Sequence, residues 1–221
     1  MKLACSALIK FTVGVLFVGA LLFFPAGSIC YMNAWLFIGL LFVPMLILGT
    51  VLLIKAPNLL KKRLEAKEKE NTQKSVVAMS ALLFVAGFVV AGLDFRFSWS
   101  KMPLWVVIVS SVVLLISYAL YAEVMRENAY LSRTIEVQED QKVVDTGLYG
   151  VVRHPMYAVT LWLFLAIPLV LGSWWSLVCF VPYIAVIVIR IHNEEKVLEI
   201  GLDGYTEYKK RVKYRILPFI W

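Results

Sequence analysis

The chain has 221 residues, of which 61% are hydrophobic and 17% charged, with a mean hydropathy of +0.81. A soluble domain carries about a quarter charged residues, so composition excludes an ordinary water-soluble globule. The formal net charge of +7 sits at the ends of apolar runs, where membrane topology places it, and no basic recognition motif accompanies it, so nucleic acid is not an expected partner.

Six apolar spans are predicted in an all-α integral membrane fold, at 8–24, 33–54, 75–93, 104–122, 156–171 and 174–191. The first also reads as a signal peptide, with Lys2 and Lys10 before a short apolar core and Ala26-Gly27-Ser28 as a small-residue cleavage site. A retained first span gives an even number of crossings and fits the charge distribution better. The segment 55–74 contains KKRLEAKEKE, with Lys61/Glu65 and Glu65/Lys69 at i,i+4, and reads as a solvated helical connector near anionic headgroups. The last two spans are short and separated only by Gly172-Ser173; beside Trp174 and Trp175 this reads as an interfacial hairpin turn. Cys5, Cys30 and Cys179 form no CxxC pair or Cys/His cluster. They indicate neither a zinc site nor a disulfide framework, no metal is expected, and small buried hydrophobes are the reading they support.

Of 22 Lys and Arg, only Arg96 and Lys101 fall on one side of this six-span arrangement. The excess of basic residues on the other side assigns both termini and both long polar segments to the cytoplasm.

The chemically informative residues begin at Asp140. Gln141, Lys142, Val143 and Val144 are followed by Gly147-Leu148-Tyr149 and then by Arg153-His154-Pro155-Met156-Tyr157. Beyond the hairpin come Arg190, Glu194-Glu195, Tyr205, Tyr208 and the basic run Lys209-Lys210-Arg211. The hairpin returns the chain to its starting side and so brings His154 and Tyr157 beside Arg190 and Glu194. Taken singly, each has a bland role: His154 at a helix end, Pro155 in a first helical turn, Arg190 as an anchor, Glu194-Glu195 as a solvated face paired with Lys196. Polar groups converging at a membrane rim instead point to a site.

RHPMY, followed across two apolar segments by R-x-x-x-E-E, resembles the carboxyl-terminal signature of isoprenylcysteine carboxyl methyltransferases and related phospholipid methyltransferases. YTEYKKRV and the later Pro218 are similar to that family's tail, so the resemblance covers roughly residues 133–221. It implies a methyltransferase core over 123–221; the first four spans match only in hydrophobicity and are expected to form an amino-terminal four-helix membrane part over 1–122, within one membrane domain. It further implies S-adenosylmethionine as cofactor in a cytoplasmic pocket lined by Gln141, Lys142, Val143, Val144, Tyr149, His154, Pro155, Met156 and Tyr157. Glu194 closes that pocket, and Arg190 stands between cofactor and acceptor as the catalytic residue. The implied partner is a lipophilic or prenylated substrate among membrane lipids: a prenylcysteine carboxylate first, with a phospholipid amine or a thiol as alternatives. Two other classes stay open. A sterol-reductase-like enzyme using a reduced nicotinamide shares the ending Val212-Lys213-Tyr214-Arg215-Ile216-Leu217-Pro218 but has about ten spans, and a non-enzymatic scaffold or transporter subunit predicts no convergent polar site.

The orientation is directly testable. In a chain freed of its three native cysteines, Glu65→Cys and Asp140→Cys should react with a membrane-impermeant maleimide from the same face, and reaction from opposite faces would exclude the six-span arrangement.

Overall fold

The computed structural model describes residues 2–64, 71–131, 135 and 137–221, with the side chains of residues 2 and 71–73 left aside. Among these residues the chain forms nine α-helices, a single 3₁₀ turn at Gly147–Gly150 and no strand. They are α1 Lys2–Ala26, α2 Met32–Lys55, α3 Pro57–Leu64, α4 Asn71–Phe97, α5 Leu104–Glu127, α6 Pro155–Val170, α7 Trp174–Phe180, α8 Tyr183–Gly201 and α9 Tyr205–Arg211. Runs this apolar satisfy their backbone polar groups only by closing them internally, which is what a helix does.

Five stretches are long and apolar enough to cross a membrane: Leu3–Ala26, Met32–Lys55, Lys74–Phe97, Leu104–Glu127 and Trp174–Gly201. Helix α6 is apolar too, but its 16 residues reach only about 24 Å, short of a ~30 Å hydrocarbon core. The final span of the sequence reading is interrupted, because Pro182 has no N–H to give and α7 ends two residues before it, at Phe180. The ladder resumes when Ala185 and Val186 both donate to the Pro182 carbonyl.

Hydrogen bonds between distant segments define two ends of the bundle. At one end the Tyr31 hydroxyl donates to the Leu171 carbonyl at 2.6 Å. Beside it Asp94, 2% exposed, accepts from the Ser100 amide and hydroxyl, each at 2.6 Å, and from the Ser173 hydroxyl. Ser173 in turn caps α7 by accepting from the Ser176 amide. Lys101 and Arg96 belong to this end. At the other end Lys10 donates to the Leu64 carbonyl, Lys62 to Gln138 and Arg63 to Tyr121. The short helix α3 is thereby pinned across that end, with Leu59 and Leu60 turned inward. The charged pairs proposed for the connector involve residues 65 and 69, outside the described residues. Cys5 and Cys30, expected to be buried, are exposed, and Cys179 is half-buried; an exterior facing lipid accepts a small apolar thiol as readily as a core does.

The core nearer the Asp94 end packs Leu22, Phe37, Phe88, Leu114, Ile167 and Phe180. Phe84 presents ring edges to Phe164, Phe180 and Tyr183 at centroid distances of 4.5, 5.2 and 5.9 Å. Helices α1 and α4 come into close contact at Gly92, where an added Cβ would stand 2.6 Å from the Leu22 carbonyl oxygen and 3.1 Å from the Ala26 nitrogen. Small residues at such crossings let helix backbones meet without a hydrophobic driving force in lipid. Gly92→Ala should therefore cost about 1–3 kcal/mol through forced separation of the two helices. Gly39→Ala, with nothing within 4 Å of the new carbon, should be neutral or stabilising; melting of both variants in detergent checks this.

Candidate functional site

The 3₁₀ turn before α6 begins the site. Gly147 has φ 56°, and its missing side chain leaves room for the Glu127 carboxylate, which would lie 1.7 Å from a Cβ there. Glu127, at the end of α5, accepts from the Leu148 amide at 2.9 Å. That contact fixes Tyr149, whose hydroxyl receives Asn128 at 3.0 Å and whose carbonyl receives the Tyr208 hydroxyl at 2.7 Å. Burial raises the phenols of Tyr149, Tyr205 and Tyr208 above their ordinary range, so all three stay neutral near pH 7.

Next in the chain, Arg153 and His154 join the tail. Their amides donate to the Tyr214 and Arg215 carbonyls at 2.9 and 2.8 Å. The Arg153 guanidinium, 5% exposed, donates to the Val212 and Lys213 carbonyls and forms an ion pair with Glu195 at 2.7 Å. Glu195 is 3% exposed. Its second oxygen meets Arg215 at 3.1 Å, and His154 Nε2 lies 3.3 Å from its first. A carboxylate this buried is tolerable because cations and donors surround it.

Glu194 points elsewhere. It accepts from the Tyr157 hydroxyl, and Arg190 Nε donates to that same hydroxyl at 2.9 Å. One phenol on α6 thus couples a cation and an anion from α8.

A cavity of about 790 Å³ opens between these groups. Of the residues expected to form the site, Gln141, Lys142, Val143, Val144, Tyr149, His154, Met156, Tyr157, Arg190 and Glu194 all line it. Pro155 does not: it is buried and occupies the first turn of α6, where its fixed φ and missing N–H suit a helix start. Arg153, Tyr205 and Tyr208, which the sequence placed in the informative region without a role, also line the cavity, and Glu195, given no role of its own there, is buried. The adjacent acids Glu194 and Glu195 offered a signal, since neighbouring helical positions point about 100° apart and cannot both face solvent beside a packed tail. The cavity continues away from its polar end along apolar walls from α2, α4 and α6, including Leu48, Leu52, Ala81, Phe84 and Phe164. Its walls therefore come from both sides of residue 122.

Residues 105–201 match the model of a family described as phospholipid methyltransferase. Over that stretch, which is less than half of the chain, the protein is similar to membrane methyltransferases. The matched stretch runs from α5 to the end of α8 and so contains His154, Tyr157, Arg190, Glu194 and Glu195. A search among curated proteins finds no match.

The two neighbouring acids should behave differently. Glu195→Ala strands the buried Arg153 guanidinium and should cost about 3–5 kcal/mol, as when a buried ion pair loses one partner. Glu194→Ala, on the cavity wall, should leave the melting temperature within a few degrees of wild type. Thermal unfolding of both variants in detergent, without ligand, checks the contrast.

Proposed function

We propose that the protein transfers a methyl group from S-adenosylmethionine to a lipophilic acceptor, a carboxylate such as that of a prenylated cysteine before others. The observation that carries this reading is the Arg190–Tyr157–Glu194 relay on the wall of a cavity lined by both polar and apolar side chains. A two-part cavity suits a polar cofactor and a greasy acceptor meeting end to end.

The donor set fits the cofactor. S-adenosylmethionine presents a carboxylate, an ammonium, ribose hydroxyls and an adenine, and its sulfonium makes the attached methyl group susceptible to displacement. Glu194 would hold the ammonium or the ribose hydroxyls. The amino end of α6, beginning at Pro155, favours an anion, so the start of that helix with His154 would hold the carboxylate. Gln141, Lys142, Val143, Val144, Tyr149 and Met156 would complete the pocket. Tyr205 also lines the cavity, and its buried hydroxyl has no hydrogen-bond partner among the described residues, as a site built for an incoming polar ligand would leave it.

An acceptor carboxylate is already ionised at neutral pH, so no strong base is needed. The work of the chain is then alignment and exclusion of water. Arg190, steadied through its Nε by Tyr157, would orient the carboxylate with its planar fork. The apolar arm would seat the hydrocarbon tail. The description of the matched family favours a second reading, methylation of a phospholipid amine. That acceptor must shed a proton, and Glu194 is the cavity-lining carboxylate suited to receive it. The basic segments around α3 and the tail support a cytoplasmic site with both termini on that side.

Isothermal calorimetry with purified protein should show S-adenosylmethionine binding, weakened about ten- to a hundredfold by His154→Ala or Glu194→Ala. With a panel of prenylcysteine, phospholipid and thiol acceptors, Arg190→Lys should bind cofactor within about twofold of wild type. It should nevertheless turn over ~30-fold or more slowly, because an ammonium cannot reproduce the planar fork, and that orienting interaction acts chiefly on the transition state. Wild-type turnover by Arg190→Lys would make Arg190 an anchor.

A further inference from the structure

Tyr205 opens α9 immediately after Gly204, whose φ of 81° turns the chain out of the α8–α9 connection. Its ring is 4% exposed and packs on Tyr208 at a centroid distance of 5.8 Å. Leu202, Tyr208 and Val212 hold it in place, with Val137, Val143 and Leu198 around them. The other tyrosine hydroxyls of this region are engaged: Tyr208 donates to the Tyr149 carbonyl, Tyr149 accepts from Asn128, and Tyr157 is shared by Arg190 and Glu194. Among the described residues, the Tyr205 hydroxyl is the buried side-chain polar atom left without a hydrogen-bond partner.

Such an orphan weakens the ligand-free fold, because a phenol removed from water without replacement bonds is worse than a phenyl ring of the same shape. Its position explains why it is retained. Tyr205 lines the same cavity wall as Gln141 and Glu194, and packing of α9 prevents the ring from swinging out to water. Burial, reinforced by the charges of Glu195 and Glu194, raises its phenol above the ordinary range. The group therefore keeps its proton and can donate.

We propose that Tyr205 is a cofactor-binding residue whose hydroxyl donates a hydrogen bond to an oxygen of bound S-adenosylmethionine, in its ribose or its carboxylate. The assignment rests on the methyl-transfer reading above and extends it to a residue beyond the matched segment 105–201. The bond completes only when ligand is present, so folding and binding make opposite demands on this one oxygen.

Those opposite demands supply the test, with S-adenosylhomocysteine as the binding probe. Tyr205→Phe should melt at or above the wild-type temperature without ligand, yet bind the probe about three- to tenfold more weakly. Tyr208→Phe is the contrast: its hydroxyl bonds to the protein itself, so that variant should melt lower without ligand. Unchanged probe affinity in Tyr205→Phe, with the wild type binding, overturns the assignment and leaves methyl transfer standing. So does a ligand-free melting temperature lowered as far as that of Tyr208→Phe, which would make the hydroxyl structural. A wild-type protein that binds no probe removes the methyl-transfer reading and the Tyr205 assignment together.

Discussion

A single carboxylate, Glu195, holds the carboxyl-terminal third of the molecule together. Dehydrating an acid at the end of a membrane-spanning helix costs several kcal/mol unless cations take the place of water. Arg153 and Arg215 do so, with His154 beside them. Each comes from a different place: the approach to α6, the tail beyond α9, and α8 for the acid itself. Neutralising Glu195 therefore forces three segments to converge. The same convergence aligns the Arg153 and His154 amides with tail carbonyls. The adjacent Glu194, about a quarter-turn around the helix, is left to face the cavity. Two identical side chains in sequence thus divide between a buried ion-pair cluster and the cavity wall.

This division explains what the sequence disclosed and what it withheld. Hydropathy alone located the principal helices, because a run without charge in lipid has almost no other way to satisfy its backbone. The pairing of Tyr157 with Arg190 and Glu194 followed from the hairpin and needed no atomic detail. Periodicity could not tell which of two adjacent acids was buried, since that depends on where Arg215 arrives from, 20 residues further on. Nor could it tell that α8 starts afresh after Pro182, because Val181 and Pro182 both keep helical angles and an apolar window runs smoothly across them. Tyr205 was visible as a residue but not as an orphan, because a missing partner is a property of packing.

The cavity also shows why a short polar tail needs so much helix around it. Residues from Gln141 onward supply most of the polar groups, but they enclose little volume unaided. Leu48 and Leu52 on α2, Ala81 and Phe84 on α4, and Tyr118 and Tyr121 on α5 provide the opposite walls. Tyr118 is itself tied across the bundle, its hydroxyl donating to the Leu41 carbonyl at 2.8 Å. The amino-terminal helices thereby act as a mould for the apolar arm as well as a membrane anchor. The residues that shape that arm lie partly outside the matched segment 105–201.

The Asp94 clasp at the opposite end bears on biogenesis. Asp94 is synthesised 79 residues before Ser173, the partner that seals it. Ser100, only six residues on, can satisfy part of the carboxylate as soon as α4 and its following turn have emerged. The nascent protein therefore holds its acid in a half-closed local loop until Ser173, between α6 and α7, arrives to complete it. Assembly is ordered by this: the first four long helices can insert without stranding a bare charge, and the segment bearing most of the chemistry is locked in last.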